Sequence, residues 1–207
     1  MRAFVPASAR VILDLGCGDG AFADGLRAER RDRGVDLELW GVELDAGAAA
    51  RAGQRLDRVI VGGAEDAAAQ LPDGRFDCIV CNDILEHLAW PDRVLAALRP
   101  KLASGGVVVA SIPNVRYFHN VWDLALRGAW DYQDEGIRDR THLRFYTRAS
   151  MHDLFGAAGF RVVSQQGINP TGAWRFRVCN AAALGRFSDM RYLQFACVAE
   201  PLAGSAP

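Results

Sequence analysis

Residues 10–20 read RVILDLGCGDG. The apolar run from Val11 to Leu15 reads as a buried strand, and it stops at three glycines, Gly16, Gly18 and Gly20. The stretch 19–34 that follows has helical character and ends at Gly34. A glycine-rich turn between a strand and a helix has a physical use. Without Cβ atoms the backbone can turn tightly and let a ligand approach closely. In an open parallel sheet, the crevice beyond the strand C-termini is the usual ligand site.

Working outward, strands and helices alternate. LELWGVEL (37–44) reads as a second strand and AGAAARAGQRL (46–56) as a second helix. RVIVG (58–62) is a third strand, with a helical turn near EDAAAQL behind it. FDCIV (76–80) is a fourth strand, DRVLAALRPKL (92–102) a helix and GGVVVASIP (105–113) a fifth strand. Such a rhythm predicts an α/β fold with a parallel sheet covered by helices on both faces. Later, TRASMHDLFGAAGF (147–160) reads as a helix with Thr147 as N-cap. FRVVSQQ and MRYLQFACVAEP read as two more strands, joined by the weaker helical stretch GAWRFRVCNAAALGRF. The last residues, PLAGSAP, are expected to fray.

Composition narrows the class. Of 207 residues, 50% are hydrophobic and 24% charged, as in a globular chain that folds as one domain. A formal net charge of -1 offers no global attraction for nucleic acid or an anionic membrane. No stretch approaches the ~20 apolar residues of a membrane span, and MRAFVPASAR lacks the apolar run of a secretory signal. Five cysteines without such a signal point to reduced thiols in a cytoplasm. Cys78 and Cys81 form a C-x-x-C, but they lie in a strand, where residues three apart point to opposite faces. They read as core residues rather than a redox pair.

Glu43 ends the second strand, where a carboxylate can accept both hydroxyls of a ribose. An adenosine-containing ligand follows. Gly16-Cys17-Gly18-Asp19-Gly20-Ala21 also satisfies the looser dinucleotide pattern G-x-G-x-x-A. Against a nicotinamide enzyme stand three facts. Asp14 precedes the first glycine from within the strand, no tyrosine is followed by lysine four positions on, and one domain leaves no separate substrate domain.

Together these segments resemble class I S-adenosylmethionine-dependent methyltransferases. VILDLGCGDG resembles their first motif and WGVELD their ribose-binding motif. RFDCIVCNDILEHL, LASGGVVVASIPN and RYLQFACVAEP resemble the segments of strands four, five and seven. The resemblance spans roughly residues 10–200. It implies a Rossmann-like, doubly wound, mostly parallel sheet in the order 3-2-1-4-5-7-6 with strand seven antiparallel. It implies S-adenosylmethionine as cofactor, with Asp14, Gly16 and Gly18 shaping its methionine end, Cys17 in the same turn, Glu43 on the ribose with Leu44 beside it, and Asn82 near the amino group. Many members place an acid after strand three toward adenine; here Gly63 stands there, leaving the Ala64 backbone, Glu65 or Asp66 for that contact. Only about ten residues precede the first strand, so something other than N-terminal helices must cover the cofactor, or leave it partly open.

Two further stretches bear on chemistry. NDILEH (82–87) follows strand four, and on a helix Asp83, Glu86 and His87 would share one face. The long segment 115–146, rich in Trp, Tyr, Arg and Asp, reads as a lid or acceptor-binding insertion. It ends near DRTHLRFYT, which resembles a segment of methyltransferases of sugar and polysaccharide modification, and carries His142. Asp83, Glu86, His87 and His142 also resemble a metal-site pattern of small-RNA 2′-O-methyltransferases, with a related one in ubiquinone-pathway O-methyltransferases. A divalent ion, proton transfer by His142, His87 and Glu86, and an ordinary polar helix start are the readings weighed; the metal-free one is preferred, because many metal-free members carry LEHL here. His119 and His152 read as helix-surface residues, and Trp130 and Tyr132 as packing. The expected function is O-methylation of a small molecule or sugar. N- or C-methylation and a non-catalytic nucleotide-binding module are the alternatives. The acceptor and the oligomeric state are not readable from the sequence.

Overall fold

The computed structural model describes residues 1–202. Its centre is a seven-stranded sheet in the order β3-β2-β1-β4-β5-β7-β6. The strands are β1 (Val11–Leu15), β2 (Glu38–Glu43), β3 (Arg58–Val61), β4 (Phe76–Asn82), β5 (Leu102–Pro113), β6 (Phe160–Pro170) and β7 (Tyr192–Pro201). β1 to β5 pair in parallel, with Leu13 beside Trp40 on one side and Ile79 on the other. β7 runs antiparallel to both neighbours, β5 and β6. The expected sheet order and strand directions are those observed.

Alternation along the strands sorts the core into two layers. Leu13, Leu15, Ile79, Cys81, Val108 and Ala110 share one cluster, covered by α4 (Pro91–Leu98) and α6 (Arg148–Ala157). Ile12, Cys78, Val80, Val107 and Val109 share the other, covered by α1 (Ala21–Arg31) and α2 (Ala46–Ala52). Both faces of the central strands are therefore dry, which explains why they read as continuous apolar runs. Cys78 and Cys81 lie in opposite layers, and all five cysteines are free.

Local chemistry sets the boundaries. Asp45 caps α2 by accepting from the Ala48 N–H at 2.7 Å. Thr147 caps α6 in a reciprocal box with Ser150. The first helix is shorter than expected, because turns from Asp32 onward run into Gly34 at φ +73°. α3 (Ala64–Ala67) is one turn with Gly63 as its N-cap.

The segment after β5 leaves the sheet and returns to nearly the same place. Val115 donates its N–H to the Tyr146 carbonyl at 2.8 Å, and Asn114 and Tyr146 form a bridge. Between them lie α5 (Phe118–Trp122), a π turn at Asp123–Arg127 and irregular chain. A second excursion, between β6 and β7, carries α7 (Trp174–Ala182). Phe118 from the first and Phe176 and Met190 from the second make a small separate core. His119 and His152 are exposed, as expected. Of the tail expected to fray, Pro201 still belongs to β7, and residues 203–207 lie outside the described residues.

The expected helix through Asp83, Glu86 and His87 is not there. Asp83 takes a left-handed φ of +48°, its N–H held by the Ser111 carbonyl at 3.2 Å and the Ser111 Oγ at 3.1 Å. Only a single 3-10 turn, Leu85–His87, follows before α4 begins at Pro91. A residue at positive φ breaks helical hydrogen bonding, so the i, i+3, i+4 spacing does not apply.

Candidate active site

The glycine turn is tied to the next strand. Gly16 and Cys17 donate to the Val42 carbonyl at 2.8 and 3.0 Å. Gly16 has φ +73°, and a Cβ there would run into Ile84 of the turn after β4. Gly18, at φ +56°, has nothing within 4 Å of where a Cβ would stand, so its backbone lines open crevice. Glu43 closes this loop: its Oε2 accepts from the Gly18 N–H at 2.8 Å and its Oε1 from the Asp45 N–H at 2.9 Å. A carboxylate offers about four acceptor directions, so two remain for hydroxyl donors.

Asp14 sits behind the turn at 2% exposure. Burial, then the nearby Glu43 charge, pushes its carboxyl up to about 7. A cationic ligand would draw that proton off. The Cys17 thiol is buried too and pushed up to about 12, chiefly by desolvation, so it acts as wall and not as nucleophile. Asn82 ends β4 with its Oδ1 buried and without a hydrogen-bond partner, an acceptor lacking a donor. At the crevice mouth, Leu44 is 75% exposed, Ala64 is buried at the start of α3, and Glu65 and Asp66 are exposed.

A second pocket of about 220 Å³ opens over the ends of β4, β5 and β7. It gathers Asp83, Glu86 and His87 with His142, which enters from the segment 115–146. The docking is made by backbone: Leu143 and Arg144 both donate to the Glu86 carbonyl, at 2.8 and 3.1 Å. One donor atom each from Glu86, His87 and His142 lies within 4.8 Å of the others. His142 Nε2 is 3.9 Å from Glu86 Oε1, and the two imidazole rings are 4.6 Å apart, edge to face.

Neighbours orient both rings. His142 Nδ1 is 3.1 Å from the Ile137 carbonyl, which can only accept, so Nδ1 carries a hydrogen and Nε2 is the nitrogen turned to the pocket. The Thr141 hydroxyl donates to Asp139 at 2.6 Å and therefore accepts from His87 Nδ1 at 3.1 Å. His87 likewise turns Nε2 to the pocket. Desolvation, then the neighbouring His142, holds its imidazole below the usual range. Glu86 is 1% exposed and neither carboxylate oxygen has a partner. Burial, augmented by Asp83 and Asp139, pushes its carboxyl up to about 8.

Asp83 stands apart in this group, its Oδ1 accepting from Gln194 of β7 at 2.6 Å. Gln194, Ser111, Thr141, Asp139 and the Ile137 carbonyl were not singled out from sequence. Gln194 carried a faint signal, a polar residue within an apolar strand; Asp139 and Thr141 shortly precede the histidine in DRTHLRF. Trp130 packs edge-on against Phe145 at 5.4 Å, while Tyr132 is exposed.

A 3-2-1-4-5-7-6 sheet with a glycine turn after β1 and an acid closing β2 defines a Rossmann-like class that binds an adenosine ligand at its C-terminal edge. Within that class, the chain belongs to the S-adenosylmethionine-dependent methyltransferases: a family model described as a methyltransferase domain matches residues 2–165. It is 34% identical over 155 residues to a malonyl-acyl-carrier-protein O-methyltransferase of Geobacter sulfurreducens, covering 73% of this chain and 56% of that protein. It is 31% identical over 164 residues to a ubiquinone biosynthesis O-methyltransferase of Chromobacterium violaceum, covering 77% and 68%. The chain thus spans little more than half the length of the first relative. A methyltransferase structure from Archaeoglobus fulgidus superposes with a TM-score of 0.66 at 17% identity, over 93% of this chain and 86% of that one, a likeness of fold. Among the described residues no helix is long and apolar enough to cross a membrane.

Proposed function

We propose that this protein transfers a methyl group from S-adenosylmethionine to an oxygen of a small molecule or sugar in the cytoplasm. The observation that carries the reading is the cluster of Glu86, His87 and His142 following the turn that packs on Gly16, with both imidazoles held at Nδ1 and turning Nε2 to the pocket. The O-methyltransferase names of the two relatives support oxygen over nitrogen or carbon. Five free cysteines support a reducing compartment.

The crevice suits the cofactor on its own evidence. Gly18 leaves room where a side chain would intrude, Glu43 has acceptor capacity to spare for ribose, and the orphaned Asn82 Oδ1 suits an ammonium donor. Asp14, Gly16 and Cys17 back the methionine end, with Leu44, Ala64 and Glu65 at the adenine end. Bound there, S-adenosylmethionine supplies an electrophilic methyl group. The chain's own residues then have three tasks. The segment 115–146 covers the acceptor and keeps water out. His142 Nε2 takes the acceptor's hydroxyl proton, and the Ile137 carbonyl holds the ring through Nδ1–H. The buried Glu86 carboxyl lies 3.9 Å from that nitrogen, and an imidazolium forming there would favour its ionisation.

A second reading is favoured by one observation. Three donors within 4.8 Å, an orphaned buried carboxylate, and imidazoles whose Nδ1 atoms are fixed by outer partners would also suit a divalent ion such as Mn²⁺, Zn²⁺ or Fe²⁺. Glu86, His87 and His142 would hold it, with Asp83 bound instead to Gln194. The ion would supply Lewis acidity to lower the hydroxyl's pKa.

The test is calorimetry with S-adenosylhomocysteine, followed by a metabolite-pool screen with methyl-labelled cofactor, each with and without chelator. Binding plus labelled product insensitive to chelator is expected. Loss with chelator and return with Mn²⁺ would move the cluster to the metal reading. Binding without any product would leave a non-catalytic module, and NADH binding in place of S-adenosylhomocysteine would end the methyltransferase reading.

A further inference from the structure

A wide cleft away from the candidate active site plays no part in the chemistry above. It measures about 1060 Å³, at the upper end of small-molecule sites, and opens between α6, the β6–β7 edge and α7. Arg148, Arg177 and Arg191 line it, against a single acid, Asp189. Asp189 is already paired, its carboxylate 3.4 Å from Arg116. Among the described residues no carboxylate pairs with Arg148, Arg177 or Arg191. Two of the three lie against aromatic walls: Arg148 is 6.0 Å from the Phe195 ring centroid and Arg191 is 5.9 Å from that of Tyr192.

Three exposed arginines against one acid that is already paired leave this concave surface with an excess of positive charge that an anionic ligand would complement. Guanidinium groups bind phosphate oxygens in paired hydrogen bonds, and the aromatic walls suit a ring or an apolar moiety attached to the anion. The cleft is also joined to the candidate active site by β7. Tyr192 and Phe195 face the cleft, while Leu193 and Gln194 between them line the pocket of Glu86 and His142.

We propose that this cleft binds the phosphate or diphosphate group of the methyl acceptor, placing the acceptor's uncharged part over the β7 end toward His142. The acceptor half of this statement rests on the methyl-transfer reading; the anion site does not. The first experiment is calorimetry of the full chain, saturated with S-adenosylhomocysteine, against inorganic diphosphate. Submillimolar binding is expected, weakened at least tenfold in Arg177→Gln and Arg191→Gln and unchanged in Arg33→Gln, an exposed arginine on α1's C-terminal side. Absence of binding, equal weakening in Arg33→Gln, or competition between diphosphate and S-adenosylhomocysteine would overturn the site. The second experiment labels a metabolite pool with methyl-labelled cofactor. Products that bind an anion exchanger and are released by phosphatase are expected; neutral products, or none, would overturn the acceptor assignment. A chain that binds diphosphate through these arginines but not S-adenosylhomocysteine would sink the methyltransferase reading and leave the anion site standing.

Discussion

Replacing Glu86 with glutamine is expected to stabilise the fold, and more at pH 7 than at pH 5. The Glu86 carboxyl is 1% exposed, has no hydrogen-bond partner, and titrates near 8 where an ordinary glutamate titrates at 4.5. Below about pH 4.5 both folded and unfolded chains hold the proton, and the group costs nothing. As pH rises, the unfolded chain releases it first, so the folded state is penalised increasingly until pH passes about 8. At about 1.36 kcal/mol per pH unit, that penalty is about 1 kcal/mol at pH 5 and about 3 kcal/mol at pH 7. Glutamine has no charge to desolvate. Burying its amide costs something, but equally at both pH values. The gap between variant and parent should therefore widen by about 2 kcal/mol, or about 4–8 °C in melting temperature for a chain of this size. Scanning fluorimetry of both proteins in chelator, from pH 5 to 8, reads this directly. Parallel curves would show that Glu86 carries no such burden, and that its environment is wetter or better paired than described.

Glu43→Ala should raise the dissociation constant of S-adenosylhomocysteine by about 10–100-fold, since charge-assisted hydrogen bonds contribute about 1.5–3 kcal/mol; calorimetry with unchanged affinity would remove Glu43 from the site. Gly16→Ala should lower the melting temperature, because its Cβ meets Ile84, whereas Gly18→Ala should cost only left-handed strain, about 1–2 kcal/mol, and act mainly on cofactor affinity. The two glycines behaving alike would refute that division. His142→Ala should slow transfer by about 10²–10⁴ with cofactor affinity intact; a variant at full rate would leave His142 without a part in the chemistry.

What could be read from sequence, and what could not, follows from range. The strands of the sheet are buried on both faces, so each appears as an apolar run, and the glycines at 16, 18 and 20 mark a turn that no other residue type makes cheaply. The crevice around Asp14, Gly16, Cys17, Gly18 and Glu43 is local to two adjacent strands and was legible for that reason. NDILEH was misread because spacing alone permits a helix. The left-handed Asp83 is imposed by Ser111, 28 residues away, through two hydrogen bonds to its N–H. The partnership of Asp83 with Gln194 spans 111 residues and depends on β7 inserting between β5 and β6. The excursion carrying α7 was faint because its apolar residues divide: Phe176 is buried against Phe118, while Trp174 and Val178 face outward. No single stripe results, and the arginine-lined cleft beneath it was invisible.

The bridge at Asn114 and Tyr146 has a consequence for how such a chain could diversify. It pins the exit and return of the 115–146 segment side by side, and Leu143 and Arg144 are fastened separately to the Glu86 carbonyl. Residues 119–136 are thus a closed loop, and Phe118, Ile137, Asp139 and His142 stand outside the part that is free to vary. Lengthening a loop whose ends are already joined costs little, about 0.6 kcal/mol per doubling. The segment behaves as an interchangeable cassette: its length and contents can be rewritten to suit a different acceptor while sheet, cofactor crevice and histidine keep their places.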